Sequence, residues 1–374
     1  MNTCPPFFGE TVTATLLSSE QISTSITGAV AYRVRYRSHD MAGRATESTG
    51  LVIAPASAGE NRKVMTWCHG TTGLGDAACP SAQPDPASEL KTYFEIGSTT
   101  EFDYGVPGLQ KFIDEGWVVC ATDYQGLGTP GRHQYTVPRT NAIDAVTIVH
   151  AARELPVGAG THFGTMGWSQ GGAAAAAVAE LSDADYNGLT IVGSVPMSPG
   201  NPVSAIRVPT GLGGALTGDV IPPDGHLFMI FSGLQAAFPD ELSLSDVYTE
   251  VGIAVHDAGW NTQPVHHLSD ALGRANQHVG AVMKIDKDKL PAWFKAITES
   301  SASLVKAHCP VLVAIDSQHD GSVVPVAWQT QYISDAQALG SDVTSKDYPG
   351  DDHFSLPQSC IDDARIWLAA QFTA

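Results

Sequence analysis

The sequence predicts an α/β protein with a mostly parallel, doubly wound central sheet, entered through antiparallel strands and interrupted by an inserted, mainly helical segment. Three observations carry that expectation. Apolar strand-like runs alternate with helical stretches over most of the chain, which is the rhythm of a parallel sheet covered by helices. The first runs lack helices between them and belong to antiparallel pairs. Between residues 199 and 308 the alternation stops. A chain of 374 residues exceeds the roughly 100–200 of an ordinary domain, so either two domains or one large domain carrying an insertion is expected.

Taken in order, four β-like stretches come first, at 11–17, 30–37, 48–54 and 63–69. The second alternates from Tyr32 through Val34 and Tyr36, as a half-exposed strand does. Buried strands follow at 116–123, 162–168, 189–197, 310–316 and 343–348. The unbroken run Trp117-Val118-Val119-Cys120-Ala121 is what a sheet covered on both faces requires. Helices are expected at 141–153, 171–181, 327–339 and 361–371. From Pro199 the chain turns Pro- and Gly-rich, then helical at 226–238, 245–257 and 290–304. A structureless loop of that length does not belong in a compact domain. Residues 1–198 and 309–374 therefore read as the core and 199–308 as an inserted helical cap, with a separate C-terminal half as the alternative. In the first cap helix Phe228, Met229, Ile230, Phe231, Leu234 and Phe238 share a face. Core packing is its ordinary use, and an acyl-binding wall or a face that opens toward an interface the functional one.

Composition removes whole classes of function. Apolar residues at 43% against 16% charged ones exclude a disordered or coiled-coil chain. Twenty Lys and Arg against 39 Asp and Glu give a net charge of −19, which repels phosphate backbones and argues against nucleic acid. No apolar run reaches the roughly 18–20 residues of a membrane span. The opening Met1-Asn2-Thr3-Cys4-Pro5-Pro6 lacks the cationic start and apolar stretch of an export signal. Two expectations follow, a cytoplasmic protein or an exported one whose signal is not in this sequence. Six cysteines are too few for a disulfide scaffold, and no C-x-x-C pair suggests zinc. Cys4 with Cys79 and Cys309 with Cys360 are the expected pairings, while Cys68 and Cys120 sit in apolar strands and read as buried thiols.

Chemistry concentrates in Gly167-Trp168-Ser169-Gln170-Gly171. The pattern G-x-S-x-G is common by chance, but here a strand precedes it and a small-residue helix follows. That setting makes a nucleophile elbow, in which a strained turn holds the serine hydroxyl clear of the sheet at the positive end of a helix. The competing reading is a glycine-rich turn whose serine caps the helix. A serine nucleophile needs a base, an orienting acid and oxyanion donors. The order Ser…Asp…His places the acid after the next-to-last strand and the base after the last. Asp320 lies in the loop ahead of Val323-Val324-Pro325 and is the expected acid, with Asp316 at the strand end as competitor. His353, the histidine that follows the last strand, is the expected base, and Asp352 beside it reads as a solvated loop charge. After the fourth strand, His69-Gly70-Thr71-Thr72-Gly73 can aim a backbone amide at an acyl oxygen. The expected oxyanion hole is made by the amides of Thr71 and Gln170, with His69 bracing its loop.

The chain resembles the α/β-hydrolase superfamily and, within it, the secretory lipase family of the lipase A type with a helical cap. The residues that carry the resemblance are His69-Gly70-Thr71-Thr72-Gly73 with Cys79-Pro80-Ser81, the run Asp123-Tyr124-Gln125-Gly126-Leu127-Gly128-Thr129-Pro130-Gly131, the elbow at Ser169, the Asp320 loop and His353. The resemblance implies the α/β-hydrolase fold, hydrolysis of carboxylic esters including acylglycerols, and export to the periplasm or outside. His69, Gly70, Thr72, Tyr124 and Trp168 are the substrate-binding residues expected beside the triad Ser169, Asp320 and His353. The expected partners are small-molecule or lipid esters, with transient contact at a lipid interface through the cap.

Other signals are weaker. The run from Gly126 to Gly131 matches G-x-G-x-x-G, but Pro130 and the residues after it do not open a helix toward a pyrophosphate, so no cofactor is expected. The neighbours His266-His267 and His319-Asp320 do not converge on one ion, and no H-E-x-x-H is present, so no metal is expected. A serine peptidase of the prolyl-oligopeptidase kind would use the same triad, yet the chain shows no propeller repeat.

Overall fold

The computed structural model describes residues 14–208, 222–284, 286–317 and 323–373. Nine strands form one sheet: β1 (Leu16–Ile22), β2 (Ala29–His39), β3 (Ala45–Pro55), β4 (Arg62–Cys68), β5 (Val118–Thr122), β6 (Ala159–Trp168), β7 (Thr190–Met197), β8 (Val311–Asp316) and β9 (Val343–Tyr348). Their spatial order is β1-β2-β3-β5-β4-β6-β7-β8-β9. The first three are antiparallel and β3 joins β5 antiparallel, whereas every pairing from β5 through β4 to β9 is parallel. This is the expected architecture, the α/β-hydrolase arrangement of an antiparallel entry into a parallel sheet. The connection from β4 runs to β5 on one side and that from β6 to β7 on the other, so the strand order reverses between β4 and β6. That switch point opens the crevice at the carboxyl ends of β4 and β6, where ligands bind in such sheets.

Both faces of the sheet are covered. One apolar cluster packs helices Pro138–Arg153 and Gln170–Val178 against Val34, Val52, Val64 and Val118. The opposite face carries helices Leu109–Asp114 and Leu356–Gln371 over Ile53, Met65, Trp67 and Val119. Side chains of one strand alternate between the two clusters, so β4 and β5 must be apolar throughout. A third cluster lies in the insert between β7 and β8, built by helices Gly225–Ala237, Val265–His278 and Leu290–Ser300. Phe228, Met229, Phe231 and Leu234 are buried in it. That face of the helix serves packing, as its ordinary use implied.

Several expectations are corrected. The first strand runs Leu16–Ile22 rather than over 11–17, of which 11–13 lie outside the described residues. Its Ser18, Ser19, Glu20 and Gln21 are exposed, because an edge strand is held by its backbone pairing to β2 and needs no apolar face. The second insert helix begins at Glu250, not at 245, where the Thr249 side chain accepts the Gly252 amide and starts the helix. The third ends at Ser300 instead of 304, where Ser301 turns extended. Cys309 and Cys360 do not pair; both are buried free thiols. Cys79 is likewise a free thiol, donating to Asp123 Oδ2, and Cys4 lies outside the described residues.

Candidate active site

Ser169 stands between β6 and helix Gln170–Val178 with φ 61° and ψ −119°, a conformation L residues adopt only under constraint. The constraint comes from close packing that two glycines allow. A Cβ at residue 167 would lie 2.1 Å from the carbonyl oxygen of Gly171, and one at 171 would lie 1.9 Å from that of Cys68. The backbone of Ser169 is held on both sides, its amide donating to Met197 O and its carbonyl accepting from Gly172 and Gly200. The turn therefore reproduces the geometry of an elbow, not that of a capping serine; the Ser169 side chain makes no cap hydrogen bond.

His353 lies in the turn between β9 and helix Leu356–Gln371. Its Nε2 is 2.9 Å from Ser169 Oγ. The indole Nε1 of Trp168 donates to the His353 carbonyl at 2.7 Å, tying His353 to the residue before Ser169. Ser169 is 6% exposed and His353 3%. Burial, reinforced by nearby His226, pushes the imidazole down to about 3, so it is neutral and able to take a proton. Asp352 is no solvated charge: its Oδ1 accepts the amides of Phe354 and Ser355 and shapes the turn that presents His353.

The other ring nitrogen, Nδ1, meets Ser198 Oγ at 2.9 Å, a contact sequence reasoning missed. Ser198 follows β7 and is hydrogen-bonded to the carboxyl of Asp316, to which Gln329 Nε2 also donates at 2.6 Å. With Nε2 facing the Ser169 hydroxyl, Nδ1 carries the proton and donates to Ser198, whose hydroxyl donates to Asp316. Burial raises the Asp316 carboxyl, and the Ser198 and Gln329 hydrogen bonds oppose that rise. Asp320, the expected acid, lies outside the described residues. The only early sign of Ser198 was its place at a strand's carboxyl end, ahead of Pro199-Gly200.

A cavity of about 110 Å³ opens above Ser169 and His353. Phe94, Trp168, Val265, Val323 and Phe354 give it apolar walls, and Thr71, Asp103, His226 and His266 add polar groups. Burial raises Asp103 to about 6 even though the Tyr93 amide donates to it. His266 stacks on Tyr93 with ring centroids 3.7 Å apart, and Phe94 lies 4.1 Å from Phe354. The insert reaches the site through Val265, whose amide donates to Thr72 O at 2.8 Å. Among the described residues no group of three or more His, Cys, Asp or Glu is placed to hold a metal.

The oxyanion candidates are Thr71 and Gln170. Thr71 lines the cavity, and Gln170 is the first helical residue, so its amide is one of the helix's unpartnered N-terminal donors. Of the expected substrate-binding residues Trp168 lines the cavity. His69, Gly70, Thr72 and Tyr124 do not, because their polar groups hold the loop behind it. His69 bonds Gly70 O and Asp123 O, the Tyr124 hydroxyl donates to His69 O, and Thr72 O takes the Val265 amide. Phe94, His226, His266 and Phe354 line the site instead. Nothing local marked them, since they come from four separate segments.

The family model for secretory lipases matches residues 94–207, the stretch holding β5, β6, the elbow and β7. Among solved structures, the chain is similar to a ligand-bound form of the rice cell wall degrading esterase LipA from Xanthomonas oryzae, with TM-score 0.72 and 17% identity over 96% of this chain and 99% of that one. Closed-state lipase A from Candida antarctica matches with TM-score 0.68 and 15% identity, over 96% of this chain and 82% of that one. A putative hydrolase from Legionella pneumophila matches with TM-score 0.65 and 14% identity, over 96% and 98%. No curated protein sequence matches. At such identities the structural likeness speaks for the fold, while the family match speaks for the chemistry. Residues 94–207 thus match the secretory lipase family within an α/β-hydrolase fold, which supports a carboxylic ester hydrolase.

Proposed function

We propose that the chain hydrolyses esters in two steps through a Ser169–His353–Asp320 triad and an acyl-enzyme. His353 Nε2 takes the hydroxyl proton as Ser169 Oγ attacks the acyl carbon, and the amides of Thr71 and Gln170 receive the oxyanion. The collapsing intermediate expels the alcohol, which takes its proton from His353. Water then attacks the acyl-serine with His353 again as base, releasing the acid and restoring the serine. The observation that carries this reading is the 2.9 Å hydrogen bond that Ser169, held on a strained elbow, donates to a buried, neutral imidazole.

Residues 199–308 would act as a cap over the site, a role supported by Val265, His226 and His266 in the cavity wall. An open apolar groove between helices Glu250–Gly259 and Val265–His278 suits transient contact with a lipid interface. The family's description favours export to the periplasm or medium. Ser169→Ala is expected to abolish turnover of p-nitrophenyl esters with an unchanged circular-dichroism spectrum, and a fluorophosphonate is expected to label Ser169. Turnover retained in that variant would overturn the reading. Acyl chains of increasing length, assayed below and above their solubility limits, would separate lipase from short-chain esterase by a jump at the interface.

A further inference from the structure

Residues 132–136, just ahead of helix Pro138–Arg153, touch both sides of the oxyanion pocket. Gln170 Nε2 lies 2.7 Å from His133 Nε2 and 3.3 Å from Asn141 Oδ1. The other nitrogen of His133, Nδ1, is 3.0 Å from Gln125 O, so Nδ1 carries the proton and Nε2 accepts from the side-chain Nε2 of Gln170. Burial pushes His133 down to about 3, which keeps that acceptor unprotonated at any working pH. Two residues on, the Tyr135 hydroxyl meets the Thr71 hydroxyl at 2.7 Å. The two residues whose amides face the developing charge are thus each held by a side chain from the same short segment.

The segment is itself fixed. The His133 amide donates to Leu74 O at 2.9 Å, just beyond the Thr71 loop, and its ring stacks parallel to Tyr124 at 5.5 Å. Gly126 makes room for it, since a Cβ there would lie 2.3 Å from the His133 nitrogen. On the far side helix Gly225–Ala237 rests directly on it at Gly233, where a Cβ would lie 2.4 Å from the Tyr135 nitrogen. Arg132 Nη1 reaches Ser232 Oγ at 3.1 Å in the same helix.

We propose that His133 and Tyr135 are positioning residues of the oxyanion hole: His133 fixes Gln170, Tyr135 fixes Thr71, and one rigid segment sets the spacing of the two amides. The inference rests on the hydrolase reading above. Oxyanion donors act only within about 2.7–3.1 Å of the charge, and a misplacement of about 1 Å costs up to about 100-fold.

Tyr135→Phe, which deletes one oxygen and keeps the ring, is the variant least disturbing to the fold. It is expected to lower kcat on p-nitrophenyl acetate by about 10- to 100-fold, with KM within about twofold and the acid limb of the pH profile unmoved. Thr71→Val should match it, Thr71→Ser should restore most of the rate, and the Tyr135→Phe/Thr71→Val double variant should be no slower than either single one. For the other arm, His133→Leu should lower kcat in the same way and His133→Gln, which can still accept from Gln170, should recover it. A Tyr135→Phe enzyme with wild-type kcat, or additive losses in the double variant, would overturn the proposal. Those outcomes leave the hydrolase reading standing, whereas absence of ester turnover by the wild-type chain with Ser169 unlabelled would sink that reading itself.

Discussion

Ser198 occupies the side of His353 away from the nucleophile, and its hydroxyl leads to Asp316. Removing one neutral hydrogen bond costs about 1 kcal/mol, so Ser198→Ala should lower kcat by about fivefold. An orienting carboxylate is worth far more. With Asp320 in that role, Asp320→Asn should lower kcat by about 10⁴-fold and Asp316→Asn by no more than Ser198→Ala. The reverse order, read from the kinetics of the three variants, would transfer the role to Asp316. The base itself makes a statement about pH. His353 must be neutral to accept a proton and burial lowers its pKa, so activity should be lost on acidification only below the ordinary imidazole value near 6.5. An acid limb of kcat/KM centred above 7 would contradict this. Ser169 and His353 were legible at this scale because an elbow is a local pattern and a base after the last strand is a rule of order. Ser198 was not, since its contact with His353 spans 155 residues.

Elements bring these groups together by close approach. The elbow helix can follow β6 only if residue 171 has no side chain, because a Cβ there meets Cys68 O at 1.9 Å. Gly171→Ala is therefore expected to destabilise the fold by at least about 3 kcal/mol, seen as a fall in thermal midpoint or loss of soluble protein. Glu180, just beyond the same helix, accepts the amides of Ser303 and Leu304 where the chain returns from the insert toward β8. Glu180→Ala strands both amides and should cost on the order of 2–4 kcal/mol in urea unfolding, with Glu180→Gln costing less because one acceptor remains. Nearly every strand and crossover helix was legible from period and length. Helix Val265–His278 was not, because Val265, Leu268 and Leu272 are its only fully buried apolar residues among histidines and other polar groups. Its packing against helix Gly225–Ala237 makes it a helix.

The whole molecule holds opposing sets of buried titratable groups. Asp103 is raised to about 6, and Asp144 and Glu180 to about 7, each by burial. Their contribution is full below their ordinary carboxyl values and is lost as pH rises through 6 to 7. His133 and His353 are lowered to about 3 and His266 to about 4, again by burial. Theirs is present above pH 6.5 and is lost as pH falls toward 3 to 4. Between about pH 4.5 and 6.5 the native and unfolded chains therefore bind similar numbers of protons through these six groups. Burial also lowers His69, His150, His226 and His256 against one further raised carboxyl, Asp316, so urea midpoints are expected to rise with pH over that interval and to fall on further acidification. Midpoints that fall as pH rises inside the interval would contradict this.

Alternation of apolar runs, glycines at a strand–helix junction and the order of serine and histidine along the chain are written in single segments, so sequence alone determined the sheet, its insert and the residues proposed as nucleophile and base. The wall of the cavity, the Ser198 link to Asp316 and the grip of residues 132–136 on Thr71 and Gln170 were decided by tertiary structure. Each joins segments that only packing brings within a hydrogen bond or a van der Waals contact, and no local period or motif encodes such a meeting.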